Sequence, residues 1–295
     1  MKDSFSRLHP LTNLLFFIAA TGFSMFLMHP VCLVISIACA LCYALFLGGK
    51  QTALFALRFL LPVALVMVLV NPLVSHRGAT VLGYLPWGNP FTLESVLYGC
   101  ASAALVCAVA LWFSCFHRVM TSDKIVFLFG RIAPSLSLVL AMALRFVPRF
   151  LEQLREIRSA RRQVTATGRR TLLSRFKGGL RVFSVLVSRA LENSVDTADA
   201  MKSRGYGLKG RTAFALFRFH RQDALMCLYC AALSAVVILL LSFRAVTYRY
   251  YPLLHGNFSA AVSVLFYVLY AALLTAPLLY NAWEGIRWTR SRSKI

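Results

Sequence analysis

The sequence predicts an all-α, polytopic membrane protein with about six spans and a long cytoplasmic helical region. Three observations carry this. Of 295 residues, 59% are hydrophobic and 14% charged, whereas an average soluble domain is about half apolar and about a quarter charged. Mean hydropathy is +0.69. Apolar runs of about 20 residues, the length that crosses a bilayer, recur along the chain, and the basic residues gather on one side of them.

Leu11–Met28 and Val31–Leu47 read as a tight helical pair broken at His29-Pro30. The N-terminus has a basic start and an apolar stretch but no convincing small-x-small cleavage site, so it reads as a first span and not a leader. Ala53–Asn71 is the third span, ending at Asn71-Pro72. Residues 72–92 hold Pro72, Gly78, Gly83, Pro86, Gly88 and Pro90 and read as an external loop. Leu93–Phe116, Ala224–Phe243 and Ala260–Tyr280 complete the set. Tyr248, Tyr250, Tyr251, Trp283 and Trp288 sit near span ends, where interfacial aromatics are expected.

Lys2, Arg7, Lys50, Arg58, Arg118, Lys124, the stretch 145–222 and the C-terminal tail fall on one side; only Arg77, Arg244 and Arg249 fall on the other. The positive-inside bias then places both termini in the cytoplasm. It also accounts for the formal charge of +22 without a nucleic-acid partner, for which no recognition module is visible. Ile125–Val147 is apolar yet contains Gly130, Arg131, Pro134 and Arg145. A re-entrant, broken or membrane-surface helix would satisfy its flanks, as would two half-spans. Three regions result: 1–144, an N-terminal membrane bundle that includes this segment; 145–222, cytoplasmic; and 223–295, C-terminal spans with a basic tail.

Residues 145–222 hold 18 basic against 5 acidic residues, a net of +13. Helical periodicity marks two stretches. The first is expected to open after Pro148, a favourable early helix position. Phe150, Leu154, Ile157 and Val164 form one apolar face there, with Arg161 in the place of the missing member. That arginine either snorkels to lipid headgroups or meets an acidic groove on a partner. The second helix is expected from about Arg181 to Ser203. Ala190, Ser194 and Ala198 make a small-residue stripe suited to close helix crossing. Arg204 ends the neighbouring row and Gly205 follows it, which fits either ordinary C-capping or a docking tip.

The run Ala198-Asp199-Ala200-Met201-Lys202-Ser203-Arg204-Gly205-Tyr206-Gly207, with Gly210-Arg211-Thr212 and a later Asp223, resembles the signature of the transmembrane T component of energy-coupling factor (ECF) transporters. Leu144-Arg145-Phe146-Val147-Pro148 is similar to the family's element before its first coupling helix. The resemblance implies a non-catalytic scaffold in a bacterial or archaeal cell membrane. Its partners would be two cytoplasmic ABC-type ATPases, a small membrane substrate-binding (S) subunit and the bilayer, with vitamin or metal-ion uptake as the outcome. It implies no cofactor in this chain, ATP and Mg being bound by the ATPases. It also implies two Ala-Arg-Gly docking motifs. Here these fall on Ser203, Arg204 and Gly205, with Ser for Ala, and on Ala160, Arg161 and Arg162, with Arg for Gly. The alternative is another ABC permease, or a scaffold recruiting a different cytosolic partner.

Other chemistries find little support. Gly48-Gly49-Lys50-Gln51 lacks the Ser or Thr that a phosphate-binding loop needs for magnesium. Glu94, Asp223 and Glu284 lie at span ends, so a carboxylate relay inside the bilayer is not expected. His9, His29, His76, His117, His220 and His255 include no i, i+4 pair for a metal. All eight cysteines lie in apolar runs and read as small buried residues, with no disulfide framework implied.

Overall fold

The computed structural model describes residues 3–75, 78–84, 90–164, 172–208, 217–243, 246–252, 255–256 and 261–292. The chain divides into two compact units, residues 1–121 with 217–295, and residues 122–216.

The first unit is a helical bundle. A 3-10 turn, Phe5–Arg7, leads into α1 (Pro10–Phe26) and α2 (Pro30–Gly48). Both helices open on a His-Pro pair: proline takes the first helical position, where its missing N–H costs nothing. The preceding His9 or His29 accepts a backbone N–H through Nδ1, each at 3.3 Å. Gly49, with φ +50°, turns the chain into α3 (Lys50–Phe55). A π-turn at Ala56–Leu60 joins α3 to α4 (Leu61–Val74). A short antiparallel hairpin, β1 (Val81–Tyr84) with β2 (Pro90–Thr92), lies within the segment expected to be loop. Then follow α5 (Leu93–Val119) and, after the second unit, α9 (Arg221–Ser242), a two-stranded ribbon of β3 (Tyr248–Arg249) and β4 (His255–Gly256), α10 (Ala261–Leu274) and α11 (Ala276–Arg292).

Four of the described helical stretches are long and apolar enough to cross a membrane: Pro30–Gly48, Lys50–Val74, Leu93–Val119 and Arg221–Ser242. The first predicted span is the 17-residue helix Pro10–Phe26. The last predicted span, Ala260–Tyr280, falls on α10 and α11, which are apolar enough to cross only when taken together and are bent by 57° at the break between them. Pro277 cannot donate to the turn before it. The Ala271 carbonyl at the end of α10 accepts both the backbone N–H and the hydroxyl of Thr275, at 2.9 and 2.8 Å.

Within this bundle α5 packs on α1, α2 and α4, while α10 packs on α2 and α9. Phe5, Phe16, Tyr43, Leu111, Trp112, Phe266 and Tyr270 form its fully buried centre. Cys39, Cys115 and Cys230 fill the same core as small apolar groups. A polar chain crosses it: Trp112 Nε1 donates to Ser36 Oγ (3.1 Å), which lies 2.6 Å from Ser24 Oγ, itself 3.4 Å from the Tyr270 hydroxyl. Four helices thereby share one hydrogen-bonded thread, where hydrocarbon offers no competing partner. Gly99 lets α5 approach α4: a Cβ there would stand 3.1 Å from that of Asn71 and 3.4 Å from the Val68 backbone.

One end of the bundle is tied by two side chains. The buried Asp223 carboxylate accepts from the backbone N–H of His220 (2.8 Å), capping α9, and from that of His9 (2.7 Å), at the start of α1. Asn281 accepts from the N–H groups of Ser4 and Phe5 and donates to Asp3 at 2.6 Å. At the turn between α1 and α2, buried His29 lies between the rings of Tyr248 and Tyr267.

The second unit begins with α6 (Ser122–Ile132) and α7 (Pro134–Val164). Residues 125–147 are therefore two helices broken at Ala133. They fold back on each other, since Ser137 Oγ donates to the Val126 carbonyl at 2.9 Å. Two boundaries are corrected. The sequence places the start of the first cytoplasmic helix after Pro148; the helix opens at Pro134, and Pro148 lies inside it. Pro134, not Pro148, is the proline that takes the favourable first position. The sequence starts the second helix at about Arg181; α8 runs Leu172–Ser203, through Gly178 and Gly179.

Burial holds the His29 imidazole below its ordinary pKa. The unfolded chain therefore binds a proton that the folded one refuses, and stability falls as pH drops below about 6.5. In detergent, the unfolding midpoint of the wild type should fall more between pH 7.5 and pH 5 than that of His29→Asn, which retains a capping acceptor. Equal slopes would remove His29 from that titration.

Candidate docking tips on an antiparallel helix pair

The residues singled out at 160–162, 190–198 and 203–205 all lie on α7, α8 and the turn that ends α8. On α7, Phe146, Phe150, Leu154, Ile157 and Arg161 are half-buried, one helical turn apart, among mostly exposed neighbours. On α8 the corresponding line is Gly178, Val182, Leu186, Ala190, Asn193, Thr197 and Met201.

Two contacts fix how these lines meet. Phe146, Arg149 and Phe150 share a small cavity of about 110 Å³ with Ala190, Asn193 and Ser194. Further along, the Arg161 guanidinium lies on Gly178, where an added Cβ would overlap it. Position 146 or 150 opposite 190–194 and position 161 opposite 178 define one antiparallel register, so α7 and α8 form a helical hairpin. Ala190 and Ser194 lie at the shared cavity, and Ala198 is exposed.

The C-terminal tip of α8 has a defined cap. Tyr206 N–H donates to the Met201 carbonyl and Gly205 N–H to that of Lys202, both at 3.0 Å, with Gly205 at φ +76°. This is the Schellman arrangement, which a glycine in the left-handed region makes without strain. It places Arg204 at the last turn of the helix, exposed, with Ser203 exposed beside it. Capping and presentation of the arginine are thus one geometry.

The α7 tip is built differently. Ala160 is exposed and Arg161 half-buried, but the helix continues to Val164. Among the described residues the only glycines at positive φ are Gly49, Gly205 and Gly207. Arg162, standing where the motif has Gly, is part of the helix. Because the pair is antiparallel, Arg161 and Arg204 lie at opposite ends of the hairpin. From Gly178, opposite Arg161, to Arg204 is roughly 39 Å along α8 at about 1.5 Å per residue.

Gly178 is the residue that sequence reasoning missed. A helix-interior glycine costs about 1 kcal/mol relative to alanine, so propensity alone places Gly178-Gly179 before the helix. The signal that could have found it is its position, four residues before Val182 on the same seam. Among the described residues no group of three His, Cys, Asp or Glu side chains is placed to hold a metal ion.

The family model described as cobalt transport protein, CbiQ, matches residues 1–214, and so contains both helices and both tips. The chain belongs to the CbiQ cobalt transport protein family. Related proteins carry the name energy-coupling factor transporter transmembrane protein EcfT. The EcfT 1 protein of Listeria monocytogenes serotype 1/2a is 25% identical over 192 residues, 60% of this chain and 70% of that protein. EcfT of Lactobacillus helveticus is 34% identical over 106 residues, 35% of this chain and 38% of that one. EcfT of Listeria innocua serovar 6a is 34% identical over 110 residues, 36% and 41% respectively. The matches to these last two thus span about two fifths of each relative. Together with the apolar helices, this CbiQ-family membership makes the chain a multi-pass membrane component of an ECF transporter, its T component.

Replacing Gly205 tests the cap. A non-glycine residue in the left-handed region costs about 1–2 kcal/mol, so Gly205→Val should fray the last turn of α8. Hydrogen exchange at Arg204–Tyr206 should quicken by roughly tenfold, while the middle of α8 keeps its protection. An unchanged rate would mean that the tip does not depend on the left-handed residue.

Proposed function

We propose that this chain couples ATP hydrolysis by two cytoplasmic ABC-type ATPases to uptake of a micronutrient, a vitamin or a metal ion, through a separate substrate-binding S subunit. The observation that carries this is the antiparallel hairpin with one arginine-bearing helix end at each extremity. Two tips pointing apart suit two identical or similar partners, one each. The chain itself performs no chemistry and binds no cofactor; ATP and Mg belong to the ATPases. Both termini lie in the cytoplasm of a bacterial or archaeal cell, on the side that the basic residues favour.

Arg204 and Arg161 are the docking cations. A guanidinium presents a rigid fork of donors that pairs bidentately with a carboxylate in a groove. The exposed Ser203 is small enough to let the helix end approach the groove wall, and Gly205 turns the chain away behind it. When the ATPases close, the two tips move relative to one another, and long rigid helices pass that movement to the membrane bundle. The name of the family model supports a metal ion among the substrates; the choice of substrate rests with the S subunit.

Co-purification from the native host tests this reading. The tagged chain in mild detergent should bring down two ABC-type ATPases and a small membrane protein. A hydrogen bond between charged partners is worth about 1.5–3 kcal/mol, so Arg204→Glu should lower ATPase recovery at least about tenfold. Undiminished recovery, or a different cytosolic partner, would overturn the assignment of Arg204 or of the partner class respectively.

A further inference from the structure

Gly178 stands out in α8 for three reasons. It is buried, while Lys177 and Gly179 on either side are exposed. A Cβ added to it would overlap the Arg161 guanidinium, whereas a Cβ on Gly179 would meet nothing within 4 Å. Its backbone lies within a helix and outside the positive-φ set, so no turn demands glycine there. What the missing side chain provides is a flat patch of backbone at the level of Arg161. A guanidinium is planar and weakly hydrated, and it lies on such a surface more readily than an ammonium would.

The two tips are therefore unlike. Arg204 sits exposed on a left-handed cap. Arg161 lies one turn inside a helix that continues to Val164, on the line of α7 residues that meets α8, and its charged end rests on the partner helix. We propose that Gly178 is a resting seat for Arg161, from which the arginine must lift before the α7 tip can dock an ATPase. This rests on the reading that Arg161 is a docking cation. Arg204 is then the tip that engages first, and the α7 tip engages at the expense of the seat. The departure from the motif at Arg162 fits this: without a glycine turn, Arg161 is directed along the seam and not off the helix end. Gly178 is in this account a positioning residue, acting through Arg161.

Gly178→Ala is a mild way to remove the seat. The atoms it displaces are the far end of a flexible side chain, and alanine favours the helix over glycine. Two measurements on the full chain separate the seat from the docking reading. The first is a double-mutant cycle of Gly178→Ala and Arg161→Ala on the purified chain in detergent, read by hydrogen exchange at residues 157–163. Arg161→Ala should quicken exchange by about fivefold with Gly178 present and leave it unchanged in the Gly178→Ala background, since coupled residues are non-additive. The second is ATPase recovery by co-purification in an Arg204→Glu background, where only the α7 tip can hold a partner. There Gly178→Ala should raise recovery about threefold or more, because the seat no longer competes.

Additive effects in the cycle would overturn the seat. Coupling in the cycle, with ATPase recovery unmoved by Gly178→Ala and by Arg161→Glu, would confine Arg161 to holding the hairpin and overturn its docking role. A fall in recovery with Gly178→Ala would mean that the seated position is the docking-competent one, and would overturn the competition.

Discussion

The register of α7 against α8 is the constraint on which the functional geometry depends. Each helix alone has an arginine near its C-terminal end, and that fact says nothing about where the ends point. Once Phe150 lies opposite Ala190 and Arg161 opposite Gly178, the chain directions are opposed and the two ends must separate. A shift by one turn would move both cations by about 5.4 Å and take the guanidinium off Gly178, a seam position with no side chain. The small residues at 178 and 190 are what allow bulky α7 residues to lie against them.

The membrane bundle answers a different demand. Hydrocarbon leaves no water to satisfy a stranded polar group, and several of the bundle's buried polar side chains tie helices together. Ser24, Ser36, Trp112 and Tyr270 join α1, α2, α5 and α10 through one thread. Asp223 holds the starts of α1 and α9 with two backbone donors. These ties brace the bundle from within, and the 57° break between α10 and α11 interrupts its last apolar pair.

Where sequence and structure differ, one physical cause recurs: proline and glycine read as punctuation. Pro148 reads as a helix start and lies within α7; Gly178-Gly179 reads as preceding α8 and lies inside it. Local propensity is worth about 1 kcal/mol for glycine and about 3 for proline, and packing along a helix of more than thirty residues outweighs either. Conversely, Pro277 does sit at a break: it falls in the first turn of α11, where a missing N–H costs little.

The sequence by itself determined that the chain enters a membrane and that two amphipathic helices each carry an arginine near the end. Hydrophobicity, charge and 3.6-residue periodicity are local properties, written wherever the chain lies. It also carried the Schellman cap at Gly205, since a left-handed turn after a helix asks for glycine whatever surrounds it. Only the tertiary structure decided that the first arginine is folded against Gly178 while the second is exposed. The distance between residues 161 and 178 is set by how two helices pair, and side-chain room at one helix is created by the absence of an atom on the other. No periodicity within a single helix encodes that.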